Sequence, residues 1–419
     1  MYVIIMSMIS IITVVLGVRC ENFKRFKGNK SIGQPKRHRA KLIGVSSPTI
    51  KRITDWIDGT TTQQPKYEYI LSLTRLLSQR KDDRDLINIT KYLCEHTSQT
   101  ATPRNLKILM VVSFEQEMFE ELEILTELGL SVTWNSKHKI KQYSHFYKLL
   151  LQTKNDSRDF KDIKREAVEA KANYSNKEVK FLFEYVELLM TYNISARERS
   201  ILNYPEFKIS LNKLMEKTSY INCVFMQDIY VVRVKDLLLK VELKLNNLKE
   251  LRSMALPLID DLTIGQRIRS SIIFTYGSSY FFECYNTFKK YIELASGTYK
   301  KLDRQHDYKM VQEHLSMCRV FHKKDFDKIE HITEIGKAFL YYQQGNLELS
   351  KKTLDTINCP DREIPFSKYL EGLLEKDYAT KIGKFNNSIS LFEGRHDYFQ
   401  KKFPELAINT LGKRGAVAR

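Results

Sequence analysis

From Asp85 onward, apolar side chains return every three to four residues in one segment after another. This sustained helical period leaves the chain little choice of fold. It predicts amphipathic helices over Asp85–Thr97, Arg104–Glu115, Met118–Leu128, Lys139–Gln152, Asn176–Met190 and Pro205–Lys217, and a longer one over Tyr220–Leu245. Strand signals are poor. No Asn-Gly or Asp-Gly pair stands between alternating runs, and only Leu130–Trp134 could be extended. The 419 residues are 42% hydrophobic with only 16 Gly and 9 Pro, which excludes a disordered chain and allows a large all-α body beside a smaller module.

A weak internal pattern runs through that body: a helix, a tight Asn-containing turn, then a second helix of about ten residues. It stands at Leu243–Ile259, Tyr280–Ala295 and Tyr341–Ile357. Stacked helix pairs of this kind predict a tetratricopeptide-like right-handed helical solenoid over residues 85–385, closed by C-terminal capping or dimerisation helices over 386–419. Such an array presents a concave face suited to a peptide. An array used only for dimerisation is the alternative.

Ahead of the body, Pro35–Asp58 has the spacing of a helix-turn-helix. Ala40 is small where two helices would cross, Gly44 supplies the turn, and Val45, Ile50 and Ile53 form an inner face. Ser46 or Ser47 can cap the second helix, with Pro48 in its first turn. The net charge of +18 is concentrated here, since Asn22–Thr54 holds ten Lys and Arg and no acid. A double-stranded DNA partner follows from charge and frame together. Lys36, Arg37 and Arg39 are the expected phosphate contacts, and Ser47, Thr49, Lys51 and Arg52 the outward positions for a major groove. The head is expected over residues 21–66 and a linker helix over 67–84.

Residues 1–20 are an apolar segment. Tyr2–Val18 is uncharged and Arg19 follows, as in a signal anchor, but a basic leader and a small-residue cleavage site are missing. A short helix, or a start assigned too far upstream, accounts for it better than a membrane span. The six cysteines are dispersed, with neither CxxC nor zinc spacing, and fit buried thiols in a reducing cytoplasm. Nucleotide-binding glycine loops, H-E-x-x-H and G-x-S-x-G are all missing from the sequence, so no catalytic residue, metal or cofactor is expected.

Five stretches of the body carry a family resemblance. They are DRDLINITKYLCEH (Asp83–His96), IRSSIIFTYGSSYFFECYN (Ile268–Asn286), GKAFLYYQQGNLELSKKTLDTI (Gly336–Ile357), FSKYLEGLLEKD (Phe366–Asp377) and RHDYFQKKFPELAINTLG (Arg395–Gly412). In order and spacing this resembles the AimR arbitrium receptors of temperate phages infecting Bacillus-type hosts. These are a branch of the cytosolic peptide-pheromone receptors of Gram-positive bacteria. The resemblance implies a homodimer whose two heads bind an operator. Unliganded, it would activate a downstream phage regulator; a short imported peptide would stop this and favour lysogeny. It also implies that Arg267 holds the peptide's C-terminal carboxylate, that Asp397 holds its polar or basic part, and that Ser278 and Phe281 line the groove. Where the family has two asparagines four residues apart, this chain has Lys240 and Lys244, so either the peptide or the register of that helix differs.

A host-type pheromone regulator of the same architecture is the runner-up, and a membrane-anchored helical scaffold the third possibility. If the basic head grips DNA phosphates, Lys36→Ala weakens binding to every sequence alike. It also flattens the slope of log affinity against log salt by about one unit, which anisotropy titration at several salt concentrations measures.

Overall fold

The computed structural model describes residues 66–68, 70–71, 84–95, 102–131, 139–154, 158–198, 201–261, 264–357 and 365–417. The helix-turn-helix stretch and the apolar run before it lie outside the described residues. Within them every regular element is helical. The chain divides into two compact units, residues 1–157 with 223–226, and residues 158–222 with 227–419.

The first unit contains α1 (Arg84–Glu95), α2 (Pro103–Glu115), α3 (Phe119–Ser131) and α4 (Lys139–Lys154). α2 is buried nearly all round, through Leu106, Ile108, Leu109, Met110, Val111 and Val112. A helix apolar on every side must be central, and α1, α3 and α4 all pack on it. Thr102 caps it by accepting from Asn105 N–H, with Pro103 in the first turn. Arg104 grips the buried Glu68 carboxylate with both a 2.8 Å and a 2.5 Å hydrogen bond. Leu130 and Ser131 end α3 as helix, so the extended conformation considered for Leu130–Trp134 does not form there.

The second unit is a succession of helix pairs: α5 (Phe160–Asn173), α6 (Lys177–Glu198), α7 (Tyr204–Glu216), α8 (Val224–Lys244, from residue 227), α9 (Leu248–Asp260), α10 (Gln266–Ser278), α11 (Tyr285–Lys301), α12 (Gln305–His322), α13 (Glu334–Gln343), α14 (Leu347–Thr356), α15 (Pro365–Leu374), α16 (Tyr378–Gly394) and α17 (Lys402–Val417). Chain neighbours pack on each other, notably α5 on α6, α10 on α11, α11 on α12, α13 on α14 and α15 on α16. That is the repeat architecture of a helical solenoid.

One turn is used again and again. Backbone N–H groups of Met118, Asn247, Arg304, Lys324, Asn346 and Asp397 reach back to the carbonyls of Ser113, Glu242, Tyr299, Arg319, Tyr341 and Phe392, at 2.8–2.9 Å. The residue before each donor is left-handed: Glu117, Asn246, Asp303, Lys323, Gly345 and His396, at φ from 53° to 82°. This six-to-one bond satisfies orphan carbonyls at a helix end and turns the chain sharply. Two of the three expected Asn turns, at Asn246-Asn247 and Gly345-Asn346, have this form. At the third the turn lies earlier, over Ser279–Cys284, and Asn286 is already inside α11.

Small residues let the pairs close. Ser350 of α14 donates to the Ala338 carbonyl of α13, and Ser388 of α16 to the Pro365 carbonyl of α15, each at 2.7 Å and wholly buried. Between α10 and α11 the small residue is Gly277. A Cβ there would stand 2.9 Å from Tyr291 Cβ, which is fixed to the backbone of α11 and cannot swing aside, and 3.1 Å from the end of the Ile292 side chain at Cδ1. Gly277→Ala is therefore expected to push α10 off α11 and cost about 1–3 kcal/mol, which urea titration against the parent chain measures.

Candidate functional site

The site is built on α8. Its sequence places Asp236, Lys240 and Lys244 four residues apart, on one stripe of the helix. The intervening Leu237, Leu238, Leu239 and Val241 are buried. So is Glu242, 1% exposed, whose carboxylate accepts from Lys208 at 2.5 Å and from Asn247 at 2.7 Å. A helix buried on most sides can carry charged residues only where each charge is matched.

Each lysine meets a carboxylate. Lys240 Nζ lies 2.8 Å from Asp236 Oδ2, and Lys244 Nζ lies 2.6 Å from Asp397 Oδ2. Burial pulls both lysine pKa values down, but the aspartates and nearby tyrosine hydroxyls more than offset it, so both finish above the usual lysine value. The lysines keep 27% and 28% of their side-chain surface, so both side chains border an opening and neither is wholly sealed in.

Asp397 is held in place from several directions. Its backbone N–H closes the turn after α16, its Oδ1 accepts from Gln400 N–H at 3.1 Å, and Phe399 N–H donates to the Lys244 carbonyl at 3.2 Å. One carboxylate thus serves both the turn before α17 and the ion pair with Lys244. The end of α8 is stitched to the chain entering α17 by one ion pair and one backbone bond.

Aromatic residues close the surroundings. Burial raises the Tyr204 phenol to about 12 against the pull of Lys244, and burial raises Tyr299 as well, beside Lys240, Asp307 and Asp236. Arg267, in the first turn of α10 and half-buried, lies within electrostatic reach of the same Tyr299 hydroxyl. His314 of α12 sits among Phe274, Phe281 and Phe288, at ring-centre distances of 5.3–5.4 Å. Burial, and then the charge of Lys244, depress its pKa to about 4, so the ring is neutral near pH 7. Its Nε2 and the Asp236 Oδ1 are buried without a hydrogen-bond partner.

Lys240, Lys244, Arg267 and Asp397 thus share one polar neighbourhood, linked through Tyr299, Tyr204 and His314. Phe281 adjoins it through His314 but belongs mainly to a core of Phe282, Phe288, Phe321 and Phe403. Ser278 is 1% exposed and donates its hydroxyl to the Phe274 carbonyl at 2.8 Å, so its side chain serves its own helix. Lys36, Arg37, Arg39, Ser47, Thr49, Lys51 and Arg52 lie outside the described residues. Asp236, Tyr204, Tyr299 and His314 were not expected at the site. The four-residue spacing of Asp236 with the two lysines was visible in the sequence; nothing local marked His314. Among the described residues no cluster of His, Cys, Asp and Glu could hold a metal ion, and no helix is long and apolar enough to cross a membrane.

Residues 85–410 match the family described as AimR transcriptional regulator-like. No curated protein matches the chain. Two solved structures are similar in fold. One, phAimR-Ligand, is 18% identical with a TM-score of 0.59 and covers 79% of this chain and 98% of its own. The other, selenomethionine phAimR, is also 18% identical, with a TM-score of 0.61 and coverage of 91% and 94%.

The buried, neutral His314 makes stability depend on pH. Its folded pKa of about 4 lies below the unfolded value of 6.5, so the unfolded chain binds the extra proton in between. The contribution is whole above pH 6.5 and is lost as pH falls toward 4, by up to about 3 kcal/mol. Between pH 7 and 4.5, His314→Phe is expected to lose less unfolding free energy in urea than the parent chain does.

Proposed function

The chain belongs to the AimR transcriptional regulator-like family, and we propose that it is a peptide-responsive, DNA-binding regulator acting as a homodimer. The observation that carries this is the charged, tyrosine-lined opening of Lys240, Lys244, Arg267, Asp397, Tyr204 and Tyr299 within a helical-repeat unit. Ion-paired lysines that stay partly accessible among buried tyrosines keep N–H groups available to something polar that enters. A short peptide suits it, since the backbone offers donors and acceptors along its length and the C-terminus supplies a carboxylate.

In this scheme residues 21–66 form the DNA-binding head, 67–84 a linker helix, 85–385 the peptide-binding repeats and 386–419 the capping and dimerisation helices. Lys36, Arg37 and Arg39 hold operator phosphates, and Ser47, Thr49, Lys51 and Arg52 face the groove. Arg267 forks onto the peptide carboxylate. The unliganded dimer activates a downstream phage regulator in the cytoplasm of the host. Peptide binding favours a shape that no longer does so, and lysogeny follows. The peptide can shift that balance only by its differential affinity for the two shapes.

The test uses short peptides encoded beside the gene, titrated calorimetrically into the full chain. Arg267→Ala is expected to weaken binding about 10- to 100-fold, as loss of charged hydrogen bonds should. Amidating the peptide C-terminus should weaken binding to the parent chain alike and add little to the variant. Binding by none of these peptides, or equal binding by parent and variant, would overturn the assignment.

A further inference from the structure

The two lysines of α8 do more than add positive charge, because each already holds a carboxylate of its own chain. Asp236 Oδ2 is taken by Lys240 at 2.8 Å and Asp397 Oδ2 by Lys244 at 2.6 Å. The remaining Asp397 oxygen accepts from Gln400 N–H. Asp307, the other carboxylate that acts on Tyr299, is bound by Arg304 at 2.8 Å. The carboxylates of this neighbourhood are therefore neutralised from within.

We infer that Lys244, by occupying Asp397, makes this opening select a short peptide that carries no basic side chain where it meets α8. The inference rests on the peptide-receptor reading and specifies the ligand class. A lysine or arginine of the ligand would meet two ammonium groups and would have to displace Lys244 to gain an anion. The displaced ammonium would then be left partly buried and unpaired, a costly exchange. Lys244 supplies from inside the protein the cation that a basic ligand would otherwise bring.

The polar atoms left over suit an uncharged ligand surface. Asp236 Oδ1 and His314 Nε2 are buried without partners. Each lysine makes a single side-chain hydrogen bond, so each ammonium has N–H groups to spare. The spare ammonium N–H groups can donate to the carbonyl groups of a peptide backbone. The rejection of basic residues arises from charge, and the binding of the backbone from these neutral contacts.

The test presents the full-length chain, immobilised, with two pools of six-residue peptides with free carboxyl ends. One pool is drawn from uncharged residues; the other is the same with arginine fixed at one position. Retained peptides are counted by mass spectrometry. The parent chain is expected to retain the uncharged pool at least tenfold over the arginine pool. Lys244→Gln, which frees Asp397, should raise retention of the arginine pool at least tenfold, and Lys244→Gln/Asp397→Asn should lose that gain. Equal retention of both pools by the parent, or an arginine pool unmoved by Lys244→Gln in a folded variant, overturns the inference. The parent comparison decides the matter alone if Lys244→Gln does not fold. Retention of both pools alike, lost in Arg267→Ala, sinks only this inference. Retention of neither pool sinks the peptide-receptor reading and the inference with it.

Discussion

The structure hangs on a backbone hydrogen bond that recurs at its turns. An N–H reaching five residues back to a helix-end carbonyl lets one helix stop and the next fold against it, with one residue forced into the left-handed region. Five of the six residues so placed are not glycine, so each turn accepts roughly 1 kcal/mol of local strain. The strain is offset by packing that the sharp reversal permits, as where Gln312 donates to the Ser296 hydroxyl across the Asp303 turn; at the Gly345 turn, where glycine avoids the strain, the same reversal sets Ser350 against the Ala338 carbonyl. A looser turn would leave those hydroxyls unpaired and the buried faces apart.

The same turn places the site. Asp397 follows the left-handed His396, and its N–H is the donor of the last of these bonds. Its side chain therefore points where the turn directs it, toward Lys244. Because Phe399 N–H also reaches the Lys244 carbonyl, the end of α8 and the chain entering α17 are held at two points. A molecule that altered the Lys244–Asp397 pair would act on the start of the last helix without touching it. Charge at the opening and position of the C-terminal helix are in this sense one variable.

What could be read from the sequence divides along local and non-local lines. Helix positions were legible because apolar spacing is a local signal and α2, α7 and α8 bury what it says they should. Turns at Asn246 and Gly345 were legible because Asn and Gly tolerate a positive φ. Those at Glu117, Asp303, Lys323 and His396 were not, since these residues adopt the conformation only under the pull of the surrounding packing. The turn at Ser279–Cys284 was misplaced because Asn286 looked like the turn residue, yet tertiary packing made it helical.

At the site the same division holds. The family resemblance pointed to Lys240 and Lys244, but not to each already holding an aspartate, one of them 153 residues away in the chain. That fact reverses their meaning. Unpaired, two lysines a turn apart would ask for an acid; paired, they consume the acids that a basic ligand would need. His314 was invisible because its role comes from three phenylalanines and one distant ammonium that the fold assembles. Its neutrality then keeps a further cation out of an opening that already has Lys240, Lys244 and Arg267. Burial, which costs the ring its proton, thus limits the positive charge that any ligand must meet.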